Sequence, residues 1–206
     1  MSIANITRRV GIVTLMAASL ISTTQAGAQA ASGKVVDVPC CTCIGGQARP
    51  IIVSTGAATW EVAPPGSTAF VNTTLATVNQ GWTATLPGAA WVGPANNTGA
   101  PAGTYTFRLR FRVPKCVIPG RVTISGRFAA DNGAQVFIDG AATPIASSGG
   151  VATRGYQTAA ITPFSQAGFA PGMHEIVVRV NNIGGPIGLL MDATIANQCS
   201  SAVETR

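Results

Sequence analysis

Apolar and polar residues alternate most regularly over 105–113. Tyr105, Phe107, Leu109, Phe111 and Val113 fall on one side, and Thr106, Arg108, Arg110 and Arg112 on the other. A period of two marks a strand with one face buried, and Pro114 ends it. Residues 121–140 show the pattern twice. Val122, Ile124 and Phe128 oppose Arg121, Thr123, Ser125 and Arg127, and Val136 and Ile138 restart the run after Asp131-Asn132-Gly133. Those three residues tolerate turn geometry, so the stretch predicts a hairpin forming the central strand pair. His174, Ile176, Val178 and Val180 alternate with Glu175, Val177, Arg179 and Asn181. Leu189, Met191, Ala193 and Ile195 alternate with Leu190, Asp192 and Thr194.

Shorter runs at 51–53, 59–62 and 161–164 add strands, and 69–78 adds one more. Turn residues separate them: Pro64-Pro65-Gly66, the Asn/Gly/Pro-rich 93–103, and 182–186. No mature stretch carries the 3.6-residue period of an amphipathic helix. About eight or nine short strands between turn signals predict an all-β antiparallel sandwich or barrel. Composition agrees: 24 Gly and 13 Pro with only 10% charged residues suit short strands and many turns.

The N-terminus changes the picture. Arg8 and Arg9 precede an apolar run over 10–21, and Ala28-Gln29-Ala30 is a small-x-small cleavage site. This is the layout of a secretory signal peptide; the run is too short to span a bilayer comfortably. The expected organisation is a signal peptide (1–30), a cysteine-containing segment (31–48), a β-sandwich domain (49–199) and a tail (200–206). No membrane span is expected in the mature chain. Losing Arg8 and Arg9 lowers the formal charge from +6 to +4, a mild excess that, with export, argues against nucleic acid.

All five cysteines, Cys40, Cys41, Cys43, Cys116 and Cys199, follow the signal segment. In an oxidising compartment they are disulfide candidates. The expected scheme ties the 40–43 cluster to Cys116 and Cys199, with the pairing within the cluster left open. An odd count leaves one thiol free or bridging two chains in a disulfide-linked dimer. Cys40 and Cys43 stand at Cys-x-x-Cys spacing, but the second such pair that a zinc site normally needs is missing.

Several motifs together resemble a known family. Trp91-Val92-Gly93-Pro94, Pro101-Ala102-Gly103-Thr104-Tyr105, Gly126-Arg127-Phe128-Ala129-Ala130-Asp131-Asn132, Val136-Phe137-Ile138-Asp139-Gly140, His174-Glu175-Ile176-Val177 and Gly188-Leu189-Leu190-Met191-Asp192 follow one another. This succession resembles the galactose-binding-like jelly-roll modules of secreted bacterial proteins. The resemblance spans roughly 60–195. It implies a jelly-roll β-sandwich and a carbohydrate-binding or adhesion role, and such modules often carry a structural calcium.

The residue inventory points away from catalysis. The lone His174 shares the register of Ile176 and Val178, where a core role is expected. The seven acidic residues form no acid/base pair, and no serine stands in a Gly-x-Ser-x-Gly setting. Three binding features remain. Arg108, Arg110 and Arg112 share one strand face, with Arg127 and Arg179 adding charge from other strands; guanidinium groups hold carboxylates and phosphates, which suits an anionic polysaccharide. The opposing expectation is a solvated face with cross-strand partners in Glu61 or Glu175. Trp82 and Tyr156 are expected in exposed loops where sugars stack. Asp131, Asn132 and Asp139 are oxygen donors for calcium, unless they serve turns alone; no other cofactor is implied.

The expected protein is thus a secreted, periplasmic or cell-surface bacterial module that binds a glycan or cell-surface polysaccharide, an anionic one where the arginine row sets the ligand, and has no catalytic activity. The alternative is a structural envelope or extracellular-matrix protein assembling through protein contacts.

Overall fold

A computed structural model of the chain describes residues 33–40, 50–148 and 154–198. The expected signal peptide, Cys41, Cys43, Cys199 and the expected tail lie outside the described residues. The strands are β1 (Val36–Asp37), β2 (Ile51–Ile52), β3 (Glu61–Ala63), β4 (Val71–Asn72), β5 (Thr74–Leu75), β6 (Val92–Gly93), β7 (Gly103–Val113), β8 (Val122–Asp131), β9 (Gly133–Ile138), β10 (Ala146–Ser148), β11 (Thr162–Ala167), β12 (Gly172–Asn182) and β13 (Gly188–Asn197). A 3₁₀ turn covers Thr158–Ala160. No helix among the described residues is long and apolar enough to cross a membrane.

The strands form two packed sheets, the sandwich the alternation predicts. One sheet, here the arginine sheet, runs β10-β9-β12-β7-β3-β4, with β1 also on β7. The other runs β11-β8-β13-β6-β5, with β2 also on β13. Pairing is antiparallel except between β1 and β7. Of the twelve connections between the described strands, nine change sheet and three (β3–β4, β5–β6 and β9–β10) stay within one, a winding that suits a jelly roll.

The inward residues of both sheets meet in one core. Trp60, Tyr105, Phe107, Phe111, Phe128, Ile176, Leu189 and Met191 are all essentially buried. Each buried aliphatic or aromatic side chain contributes about 1.5–3 kcal/mol over an exposed one, so this layer dominates folding. Pro163 lies in β11, which among the described residues pairs with β8 alone and so is an edge strand; an edge tolerates the missing N–H.

The expected central hairpin is not one. β8 pairs with β11 and β13, and β9 pairs with β10 and β12, so the two strands lie in different sheets. The turn between them bonds outward rather than to itself. Asn132 N donates to Asn181 O, Ile183 N donates to Asn132 Oδ1, and Gly155 N donates to Asn132 O. Asp131 and Asn132, joined by a cis peptide, thus mark a crossing between sheets.

One disulfide joins Cys40 to Cys116, with Cα atoms 5.6 Å apart, within the usual range. It ties β1 to the turn after β7, as the expected link from the cluster to Cys116 requires.

Candidate functional site

Strands β7 and β12 pair over eleven residues, from Gly172↔Val113 to Asn182↔Gly103. Their inward positions fill the core. Their outward positions bring Arg108, Arg110 and Arg112 beside Val177, Glu175 and Met173, respectively. On the other side of β7, Glu61 of β3 faces Arg108 and Asp37 of β1 faces Arg112. Register alone therefore assembles one polar face from four strands.

The arginine row expected from alternation is real, but its charge is largely answered. Glu61, with only 3% of its side chain exposed, lies at the centre. Its Oε2 accepts from Arg108 Nε at 2.8 Å and stands 3.6 Å from an Arg110 terminal nitrogen, Nη2. Its Oε1 accepts from Gly33 N at 3.1 Å. The Arg108 guanidinium also lies 3.7 Å over the Phe70 ring, a cation–π contact. Arg112 pairs with Asp37 at 2.8 Å, both largely exposed. Arg110 Nη2 donates to Gly33 O at 3.2 Å, while its buried Nε has no acceptor among the described residues. Arg179 covers the buried Phe137 ring at 4.4 Å, its stem shielding apolar surface. Arg127 belongs to the opposite sheet, 3.5 Å from Asp192.

An open pocket of about 380 Å³ lies on this face, lined by Arg110, Asp139, Met173, His174 and Glu175. Asp139, at φ 51°, directly follows β9. Its Oδ1 accepts from Glu175 N at 2.8 Å and its Oδ2 lies 2.6 Å from His174 Nδ1. His174 Nε2 meets Ala170 O at 2.8 Å, and its ring stacks on Phe111 and abuts Phe169. His174 is therefore held in the core register that alternation predicts. Glu175 differs: its carboxylate makes no hydrogen bond or ion pair among the described residues, although it stands across from Arg110.

The aromatic candidates lie elsewhere, on the outer face of the second sheet. Trp82 is 7% exposed, so the expected exposed stacking residue is a packing residue. Its ring lies 4.4 Å from that of Trp91 and covers Ala129 and Leu190. Its Nε1 donates to Asp131 Oδ2 at 2.7 Å. Tyr156 packs against the same cluster, partly buried. The cause is legible in the strands: Ala129 and Leu190 are apolar at outward positions, and an apolar outer face demands a cover. The 76–91 loop supplies it. Burial raises the Asp131 carboxyl above the usual carboxylate range, and the Trp82 bond opposes this.

The oxygen donors proposed for calcium are not brought together. Asp131 and Asp139 flank the six residues of β9, which alone span roughly 20 Å. Asp131 Oδ2 serves Trp82, Asn132 Oδ1 serves Ile183, and both Asp139 oxygens are engaged on β12. Among the described residues, no group of three or more His, Cys, Asp or Glu stands ready for a metal.

Arg110 was readable from the sequence as part of a site, and Glu175 as a cross-strand partner of the arginine row, which the register bears out without an ion pair; Met173 and Asp139 as neighbours were not. Their proximity depends on the β7–β12 register and the β9 crossing, which no local pattern encodes. The fold and face define a two-sheet β-sandwich with a mixed-charge pocket on one outer surface. No protein-family model matches the chain, and no curated protein matches its sequence.

Proposed function

We propose that the protein is a secreted carbohydrate-binding or surface-adhesion module of a bacterium, without catalytic activity. The observation that carries this reading is the open pocket on the outer arginine sheet, where Arg110 and Glu175 face each other without pairing. Such a pocket combines planar donors and acceptors with an apolar wall, the few convergent polar groups a small-ligand site needs. The Cys40–Cys116 bond supports an oxidising compartment, in line with the signal-like N-terminus. The resemblance to galactose-binding-like modules supports the same class. A glycan array probed with the mature, oxidised protein tests it: binding to a defined subset is expected, and silence across neutral and acidic glycans refutes it.

A structural role in the envelope rests on a different observation. Leu75 is 72% exposed, and Ile52 and Val71 are also exposed, all on short outer strands. Apolar side chains at strand edges favour protein contacts. Sedimentation that shows a stable oligomer of the wild type, returned to monomer by Leu75→Lys, is the outcome this role requires.

A further inference from the structure

We infer that the pocket between Arg110 and Glu175 takes a pair of neighbouring hydroxyls on a neutral sugar ring, rather than an anionic glycan. The inference rests on the carbohydrate-binding reading and specifies its ligand.

Charge decides between the two ligand classes. Arg108 and Arg110 share the buried Glu61, and Arg112 holds Asp37. The row of three arginines therefore offers little uncompensated positive charge. Within the pocket itself, Arg110 stands with two carboxylates, Glu175 and Asp139. A uronate, sulfate or phosphate would set its charge beside them, and like charges at contact distance repel. A ligand amine or ammonium would meet Arg110 instead. A metal ion would find too few free oxygens, since Asp139 Oδ1 is engaged by Glu175 N and Oδ2 by His174.

A neutral diol meets none of these penalties. The ionised Glu175 carboxylate accepts hydrogen bonds and donates none; no donor among the described residues satisfies it. The Arg110 guanidinium has donors left over: Nη1 makes no hydrogen bond among the described residues, and Nη2 is spent on Gly33 O. An acceptor and a donor on adjacent strands, with Cβ atoms about 4.5–5.5 Å apart, match hydroxyls that both donate and accept. Met173 supplies the apolar wall. It is 54% exposed, lines the pocket and lies one outward position from Glu175 on β12. Its flexible thioether chain adapts to the C–H face of a sugar ring. Asp139 and His174 act as positioning residues: the Asp139 carboxylate fixes the backbone N–H of Glu175 at 2.8 Å.

Isothermal titration calorimetry with neutral oligosaccharides (gluco-, galacto- and manno-configured) and with acidic ones (polygalacturonate, alginate, chondroitin sulfate fragments) tests the assignment. The expected result is binding to a neutral oligosaccharide whose Kd changes less than about twofold between about 50 and 500 mM salt, because no ion pair forms. Glu175→Ala and Arg110→Lys each weaken it by about tenfold or more, a loss on the scale of a hydrogen bond to a charged group. Gln135→Ala, on the same sheet face but outside the pocket, leaves it unchanged. Glu175→Gln, which keeps shape and folding, gives an intermediate loss. Neutral-glycan binding that survives in both Glu175→Ala and Arg110→Lys overturns the pocket while leaving the carbohydrate-binding reading intact. Preference for acidic glycans with strong salt dependence overturns the neutral assignment. Absence of any glycan binding by the wild type overturns both.

Discussion

Replacing Glu61 by alanine removes the anion on which the arginine face is built. In the wild type this nearly buried carboxylate holds Arg108 at 2.8 Å, Arg110 at 3.6 Å and Gly33 N at 3.1 Å. Breaking a buried pair by deleting one partner costs about 3–5 kcal/mol. Here the arginine side chains are 23% and 29% exposed, so water recovers part of the loss and about 2–3 kcal/mol is expected. Glu61→Gln keeps an acceptor for Arg108 but drops the charge, at about 1–2 kcal/mol. Asp37→Ala is the contrast, since Asp37 and Arg112 are 60% and 58% exposed; such a pair contributes about 0.5 kcal/mol or less. Urea unfolding of the disulfide-intact protein reads all three. With a slope of about 2 kcal/mol/M, Glu61→Ala shifts the midpoint down by about 1–1.5 M at unchanged slope. A shift for Glu61→Ala no larger than that for Asp37→Ala would refute the view that one buried carboxylate organises the face.

Three further outcomes follow from other parts of the molecule. Trp82→Ala removes a buried ring from the Trp91 stack and the bond to Asp131, costing about 3–5 kcal/mol; Trp82→Phe keeps most of the packing and costs less in the same urea assay. The folded-state carboxyl of Asp131 is raised, chiefly by burial, so the stability it contributes is fully present below the ordinary carboxylate value near about 4 and lost as pH rises through the raised value. Wild type should therefore lose stability relative to Asp131→Asn as pH climbs from about 4 towards neutrality, and a pH-independent difference would contradict this. Opening the Cys40–Cys116 bond, which spans 76 residues of sequence, should destabilise by about 4–5 kcal/mol on the chain-entropy view. Melting of the Cys40→Ser/Cys116→Ser double variant checks it.

The long strands β7 and β12 were legible because each turns one apolar face to the core: β7 alternates from Tyr105 to Val113, β12 does so from His174 to Val180 apart from the apolar, buried Val177 at an outward position, and His174 sits where that alternation puts it. Two features escaped local reading for the same physical reason. A turn sequence reports that the chain reverses, but not whether the next strand pairs with the last. Asp131 and Asn132 are spent on Trp82 and Ile183, partners far away in sequence, and so the chain crosses to the other sheet. Likewise a tryptophan between Gly and Pro residues looks like a loop platform until its cover is found. The clue lay in Ala129 and Leu190, apolar on the outward side. At the pocket, Arg110 was visible because arginines alternate along β7. Glu61 was foreseen as an alternative partner to Glu175, and register places Glu61 against Arg108 and leaves Glu175 without an ion pair. The short strands β4 and β5 fall within the strand expected over 69–78, split by a change of sheet.

The central claim is that a neutral sugar occupies the pocket between β7 and β12. Backbone ¹H–¹⁵N spectra recorded during titration with a neutral oligosaccharide chosen from the glycan array test it most directly. The account predicts saturable shifts concentrated at Arg110, Asp139, Met173 and Glu175, with residues 76–91 and Tyr156 unmoved. Shifts concentrated instead around Trp82, Trp91 and Tyr156, with Arg110 and Glu175 unmoved, would contradict it.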